Sequence, residues 1–382
     1  MAPALAKFLT SRMDLIGSPD DVNLWVSGNE GKLCSMWFRT FLSIILFFSL
    51  SGCSSLGYYA QSIGGHLDLM GRSRSIDQLL VDPATGGKLR QRLQRVQEIR
   101  RFATEQLRLP DNDSYRSYAD LERKAVVWSV IATPQLSMKP MTWCYPFIGC
   151  AAYRGYFSRQ QADVYAGELR LQGLDVTVEA VPAYSTLGWF DDPLPSTVID
   201  WQEPHIAGLI FHELAHQQLY VKGDSAFNEA FAATVERVGV ERWLISTADD
   251  SLLADWTGSQ ERKREFINLL LESRQRLIDI YTSALPEDEK RSGKQAEFSR
   301  LRTEYRLLKE RWGGHRGYDH WFQRELNNAR LASIATYEHW VPGFLQLMRQ
   351  AEGDMESFYQ ACELLGALPE ELRHQRMNQL AD

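Results

Sequence analysis

The sequence predicts a predominantly helical α+β fold, and three observations carry that prediction. Most of the chain consists of charged amphipathic runs with helical spacing, among them 88–107, 159–171, 261–285 and 295–312. Only two stretches, 125–132 and 175–184, have the β-branched or alternating character of strands. The second lies shortly before an apolar helical run at 206–220, so a small mixed sheet is expected, with its edge strand preceding that helix.

The chain has 382 residues and a formal net charge of -7, with a pI near 5.7. That balance argues against a nucleic-acid partner. Eleven Trp, with many Tyr and Phe, imply a substantial core and aromatic-lined clefts.

Residues 1–35 have mixed composition, a lone Cys34 and no periodicity, and read as an extension created by start-site choice. Residues 36–53 begin with basic Arg39, continue as a short apolar run and end in Leu50-Ser51-Gly52-Cys53. The run is shorter than the roughly 20 residues a spanning helix needs, so it reads as a secretory signal. Its last four residues resemble the bacterial lipobox. That implies lipidation at Cys53 and, because Ser54 follows, an anchor in the outer membrane of the cell envelope on the periplasmic face. An uncleaved membrane anchor is the alternative. The remaining 54–375 are expected to form one domain with helical N- and C-terminal parts.

Within that domain, 58–108 reads as helix, broken at Asp82-Pro83-Ala84-Thr85-Gly86-Gly87. A second short helix is expected over 118–124, ahead of the 125–132 strand. Cys144 and Cys150 flank a five-residue loop that a disulfide could close in an oxidising compartment, leaving Cys362 as a small buried hydrophobe. Pro182 suits an edge strand because it removes a ladder donor. Tyr184, Ser185 and Thr186 at the end of that strand are candidate substrate-binding residues. Asp191 and Asp192 beyond them are either a turn or a site for a substrate amine.

The chemistry centres on His212-Glu213-Leu214-Ala215-His216. On a helix the two histidines lie on one face, four residues apart, and can offer two imidazole nitrogens to one metal ion. Glu213 projects beside them. This is the HExxH arrangement of zinc peptidases, in which the glutamate is a general base. Leu209, Ile210, Phe211, Leu214 and Leu219 make the helix mostly apolar, so the polar groups inside it need partners, and a metal supplies them. Gly223 and Asp224 signal a helix end and a new N-cap. Glu229, one turn into the next helix, completes a His212, His216, Glu229 set for Zn2+ with a fourth position open. Glu236 is the competing ligand, or else a carboxylate that orients a histidine.

Tyr153-Arg154-Gly155-Tyr156-Phe157, the run from Ala183 to Pro193, the HELAH box, Phe227-Asn228-Glu229-Ala230-Phe231-Ala232 and Asn327-Asn328-Ala329 together resemble a bacterial family of zinc aminopeptidases, often lipoproteins. Asn228-Glu229 also resembles the second-helix motif of gluzincin peptidases. The resemblance implies a zincin-like core, a peptide substrate and Glu213 as base. It further implies a Tyr or His that stabilises the oxyanion, with Tyr337 the first choice over His315, Tyr318, His320 and His339. The alternative is a zinc-stabilised envelope binding or regulatory lipoprotein without turnover.

Overall fold

The computed structural model describes residues 57–145, 149–183, 185–334 and 339–381. Helices dominate, beginning with α1 over 57–71 and α2 (Ile76–Val81), and the strands fall into three small sheets.

The main core is built on two helices, α5 (Glu203–Gln218) and α6 (Ser225–Ser246), which carry the HELAH box and Glu229. In α5, Pro204 occupies the first turn, where its missing N–H costs nothing. Glu203 beside it accepts Arg95 Nε at 2.7 Å and Trp243 Nε1 at 2.9 Å, fastening the start of α5 to α3 (Gly87–Glu105) and to α6. Ile206, Ala207, Ile210, Phe211, Leu214 and Ala215 are buried against α3 and α6. Gly239 of α6 sets how close the pair comes, because a Cβ there would stand 2.7 Å from both Phe211 and Leu107.

The corner between the two helices is held by side chains. Asn228 accepts the Val221 N–H at 2.7 Å and donates to the Val221 carbonyl at 2.8 Å. Asp224 caps α6 through the Phe227 N–H, while its other oxygen takes Arg373 Nε and His374 Nε2, each at 2.8 Å. Both of those residues belong to the last helix, Glu370–Ala381. Burial alone would raise the Asp224 carboxyl, but the Phe227 N–H, Arg373 and His374 hold it below the usual carboxylate range.

The strands β1 (Ser73–Ser75), β2 (Ser117–Ala119) and β8 (Leu194–Pro195) form a mixed sheet. In a second, antiparallel sheet, β3 (Val127–Pro134) lies between β6 (Arg154–Tyr156) and β7 (Leu174–Val181). Helix α4 (Arg159–Leu171) packs on it. The third sheet pairs β4 (Trp143–Tyr145) with β5 (Gly149–Ala151), and a Cys144–Cys150 disulfide joins them.

Four expectations are corrected. The single mixed sheet is three separate sheets. The strand that precedes α5 is the two-residue β8 and not β7. The helix expected over 118–124 is absent, because Ser117–Ala119 pairs with β1 on one side and β8 on the other. Gly293, which falls in the gap expected between the helical runs 261–285 and 295–312, lies inside α8 (Glu287–Arg311), where a Cβ would come within 3.2 Å of Ile280 on α7 (Asp250–Thr282).

The α7–α8 hairpin has its own apolar cluster and is clasped to β3 and β7 by Asn328. Its Nδ2 reaches the carbonyls of Gln135 and Ser137, its Oδ1 accepts the Tyr281 hydroxyl, and its N–H donates to Asp175, which also pairs with Lys294. The Asn327-Asn328 motif is therefore scaffold. Among the described residues no helix is long and apolar enough to cross a membrane.

Asp224 and Arg373 are almost fully buried, 3% and 6% exposed at the side chain. Asp224→Ala is expected to lower unfolding free energy by about 3–5 kcal/mol in urea titration, since Arg373 is left buried and unpaired. Because the folded-state pKa of Asp224 is depressed, its contribution is present above the unfolded value near 3.9 and is lost as pH falls below it. Wild type should therefore lose more stability than Asp224→Ala below about pH 4.

Candidate metal centre

His212 and His216 occupy successive turns of α5, and Glu229 faces them from the first turns of α6. Glu229 Oε2 stands 3.3 Å from His212 Nε2 and 3.7 Å from His216 Nε2, and the three ligand atoms all lie within 4.8 Å of one another. Two ligands on a tetrahedral ion at zinc distances are about 3.3 Å apart, so the triangle fits such an ion.

The choice between the two glutamates follows from His212. Its Nδ1 lies 3.0 Å from Glu236 Oε2, on the opposite side of the ring from Glu229. Glu236 therefore orients the imidazole, and Glu229 shares the ligand face. Gly208 on α5 makes room for this carboxylate, since a Cβ there would stand 3.2 Å from Glu236 Oε1.

The electrostatics match. Burial opposes a charge on His212, but Glu229 and Glu236 push the imidazole up to about 10. Burial opposes ionisation of Glu229 as well, yet His212 and His216 lower it to about 2. Glu236 is held low by His212 against the same penalty. Two anionic carboxylates thus converge on two imidazoles, an excess of negative charge suited to a cation.

Glu213, half-buried, faces a wall made by residues 112–116 and 185–193. Asp192, 2% exposed, organises it: its Oδ2 accepts the Thr186 N–H at 2.7 Å, the Thr186 hydroxyl at 3.0 Å and the Ser185 hydroxyl at 3.2 Å. Burial raises the Asp192 carboxyl to about 6 against those bonds, and the charge of Glu213 adds to the shift. Gln217, the residue after His216, fastens the wall to α5 through Asn112 at 2.6 Å and Ser114 at 3.2 Å.

These contacts revise the expected substrate-binding residues. Thr186 is fully buried and, with Ser185, is spent on Asp192, so the two shape the wall. Asp192 is likewise closed to a substrate amine. The carbonyls of Val176 and Val178 on β7 are already taken by Asn327 and Arg324, so that stretch of edge does not offer a peptide its acceptors. Tyr184 and Tyr337 lie outside the described residues, as does Cys53. Tyr318 stacks on Phe266 at 4.1 Å in the hairpin cluster, which makes it packing.

Two tyrosines were not singled out as site residues. Tyr153, between β5 and β6, and Tyr220, just past α5, are 41% and 49% exposed. Burial raises the Tyr153 phenol, followed by the charge of Glu229 and more weakly of Glu213. Tyr220 is raised by burial and then by Glu229. A raised phenol keeps its proton at neutral pH, so each hydroxyl remains a hydrogen-bond donor. The sequence signal for Tyr220 was its place two residues beyond the helix end.

A family model described as "Putative aminopeptidase" matches residues 57–377, and the chain belongs to that family. No curated protein and no solved structure matches it.

Zinc content separates the two glutamates. Glu229→Ala is expected to lose stoichiometric metal, whereas Glu236→Ala keeps it with affinity weakened about 10–100-fold, as read by competition with a chromophoric chelator. The reverse order would move the ligand to Glu236.

Proposed function

We propose that this member of the aminopeptidase family is a zinc-dependent peptidase whose metal is held by His212, His216 and Glu229, with Glu213 as general base. The observation that carries this reading is the Nε2, Nε2, Oε2 triangle on two adjacent helices, with Glu213 in the turn between its two histidines.

When bound, zinc supplies Lewis acidity, polarising a carbonyl and making water acidic near neutral pH. The protein's own groups do the rest. His212 is held in one orientation by Glu236, and the almost fully buried His216 is fixed by packing. The Glu213 carboxylate takes the proton from the attacking water and returns it to the departing amine, so one side chain serves both proton transfers. Tyr153 and Tyr220, whose phenols feel the charge of Glu229, are our candidates for donors to a peptide carbonyl.

The family name supports peptidase activity, and we extend it to removal of N-terminal residues. We also read Cys53 as a lipidated first residue, which would hold the enzyme at the periplasmic face of the outer membrane.

A peptide library incubated with the protein, with and without chelator, and read by mass spectrometry tests the activity and shows the cleavage end. Glu213→Gln keeps the shape of the side chain but cannot take the proton. It should retain zinc and fold while losing roughly 10²–10⁴-fold in rate. Cleavage that survives both this change and chelation would leave the non-catalytic binding lipoprotein as the better reading.

Cys53→Ala tests location. Fractionation should move the protein out of the lipid-modified pool, and intact mass should show an unlipidated chain that keeps its signal. Unchanged fractionation and mass would remove the anchor.

A further inference from the structure

The loop at 185–190 holds two neighbouring residues in left-handed backbone, Leu187 at φ 57 and Gly188 at φ 79. Glycine accepts that conformation freely, but leucine seldom does. Strain of this kind persists where the surroundings fix it, and it collects at binding sites. What the turn delivers is Trp189, 47% exposed and the one tryptophan left on the surface among the described residues. Among those residues its indole N–H has no partner and its ring meets no other ring. A single exposed apolar side chain is ordinary. One held out on a strained and fastened turn beside a metal centre is not.

The fastening is specific. Thr186, fully buried, accepts the Phe190 N–H at its hydroxyl at 3.0 Å and donates to the Phe190 carbonyl at 3.2 Å, while its own carbonyl accepts the Trp189 N–H at 3.3 Å. Ser185 Oγ accepts the Leu187 N–H at 3.0 Å. Phe190 packs on the His66 ring with 4.8 Å between centroids, so of two adjacent aromatics one is anchored and the other is left in solvent.

The tip of the turn also rests on the metal helix. Gly188 packs on Gln217 of α5, where a Cβ would stand 3.4 Å from Gln217 Cγ and Cδ. The Gln217 amide is held in turn by Asn112 and Ser114, so this contact is fixed. Gln217 follows His216 directly and lies one helical turn beyond Glu213, on the same face. Trp189 is therefore the neighbour of a residue seated on the face of α5 that bears the general base.

We infer that Trp189 is a specificity residue: its indole is the apolar wall for the substrate side chain that follows the cleaved bond. The inference rests on the peptidase reading of this centre. In that reading Glu213 returns a proton to the departing amine, so the residue that owns the amine lies on the Glu213 side of the metal, where Gln217 and the turn stand. A rigid indole offers a large flat contact at little entropic cost and suits an aromatic or long aliphatic side chain.

The mixed peptide library, read for the residues on both sides of every cut, should show wild type favouring aromatic or large aliphatic residues immediately after the cut. For two peptides that differ only in Phe or Ala at that position, Trp189→Ala should reduce the Phe-over-Ala ratio of kcat/KM about tenfold, and Trp189→Phe should restore most of it. Zinc stoichiometry and Tm should stay at wild-type values, because an exposed side chain contributes little to the fold. A ratio that Trp189→Ala leaves unchanged, or a preference that falls on the residue before the cut, overturns the inference. Calorimetry on zinc-loaded Glu213→Gln reads the same contrast without turnover. The Phe peptide should bind about tenfold more tightly than the Ala peptide, and adding Trp189→Ala should equalise them. Equal binding of the two peptides before that change overturns the inference as well. Failure of the peptidase reading is recognised separately, by cleavage that persists in Glu213→Gln and resists chelation.

Discussion

The requirement that buried polar groups find partners governs the central helix pair. Helix α5 is apolar on nearly every side, yet it carries two histidines and a glutamate into the core. His212 meets the requirement with both ring nitrogens, one toward Glu236 and one toward Glu229. That double engagement fixes the rotation of α5 against α6. It also explains the glycines at the contact: Gly208 admits a carboxylate and Gly239 admits Phe211. The geometry of the centre thus follows from how closely two helices approach.

Around that pair the fold is layered by task. Helix α3 and the C-terminal helices supply apolar backing, and Glu203 and Asp224 fasten the beginnings of α5 and α6. The α7–α8 hairpin and the β6-β3-β7 sheet form a separate body of packing joined through Asn328. The loops at 112–116 and 185–193 gather polar groups beside α5, organised around one buried carboxylate, Asp192. That carboxylate is met by a backbone N–H and two hydroxyls.

Much of this was legible in the sequence because it is local. The four-residue spacing of His212 and His216, the Gly223-Asp224 corner and the helix at Arg159–Leu171 depend on neighbours along the chain. What could not be read depends on partners far away. Glu229 and Glu236 lie on one helix, and what tells them apart is the side of His212 that each approaches. Ser117–Ala119 becomes a strand because two distant segments pair with it. Gly293 looks like a breaker, yet it marks a close contact with Ile280. Ser185 and Thr186 follow a strand with the composition of a binding loop, but their hydroxyls turn inward to a carboxylate six or seven residues on.

The corner between the two central helices has a consequence for folding. Asp224 meets Arg373 and His374, 149 and 150 residues later in the chain. A ribosome adding roughly 5–20 residues per second needs on the order of 10–30 s to cover that distance. For most of that time the growing chain already holds both histidines and both glutamates, while the carboxylate that starts the second helix still lacks its buried cations. Until that last helix docks, the start of the second helix is held only by its own turn, so the geometry of the centre is set late in folding.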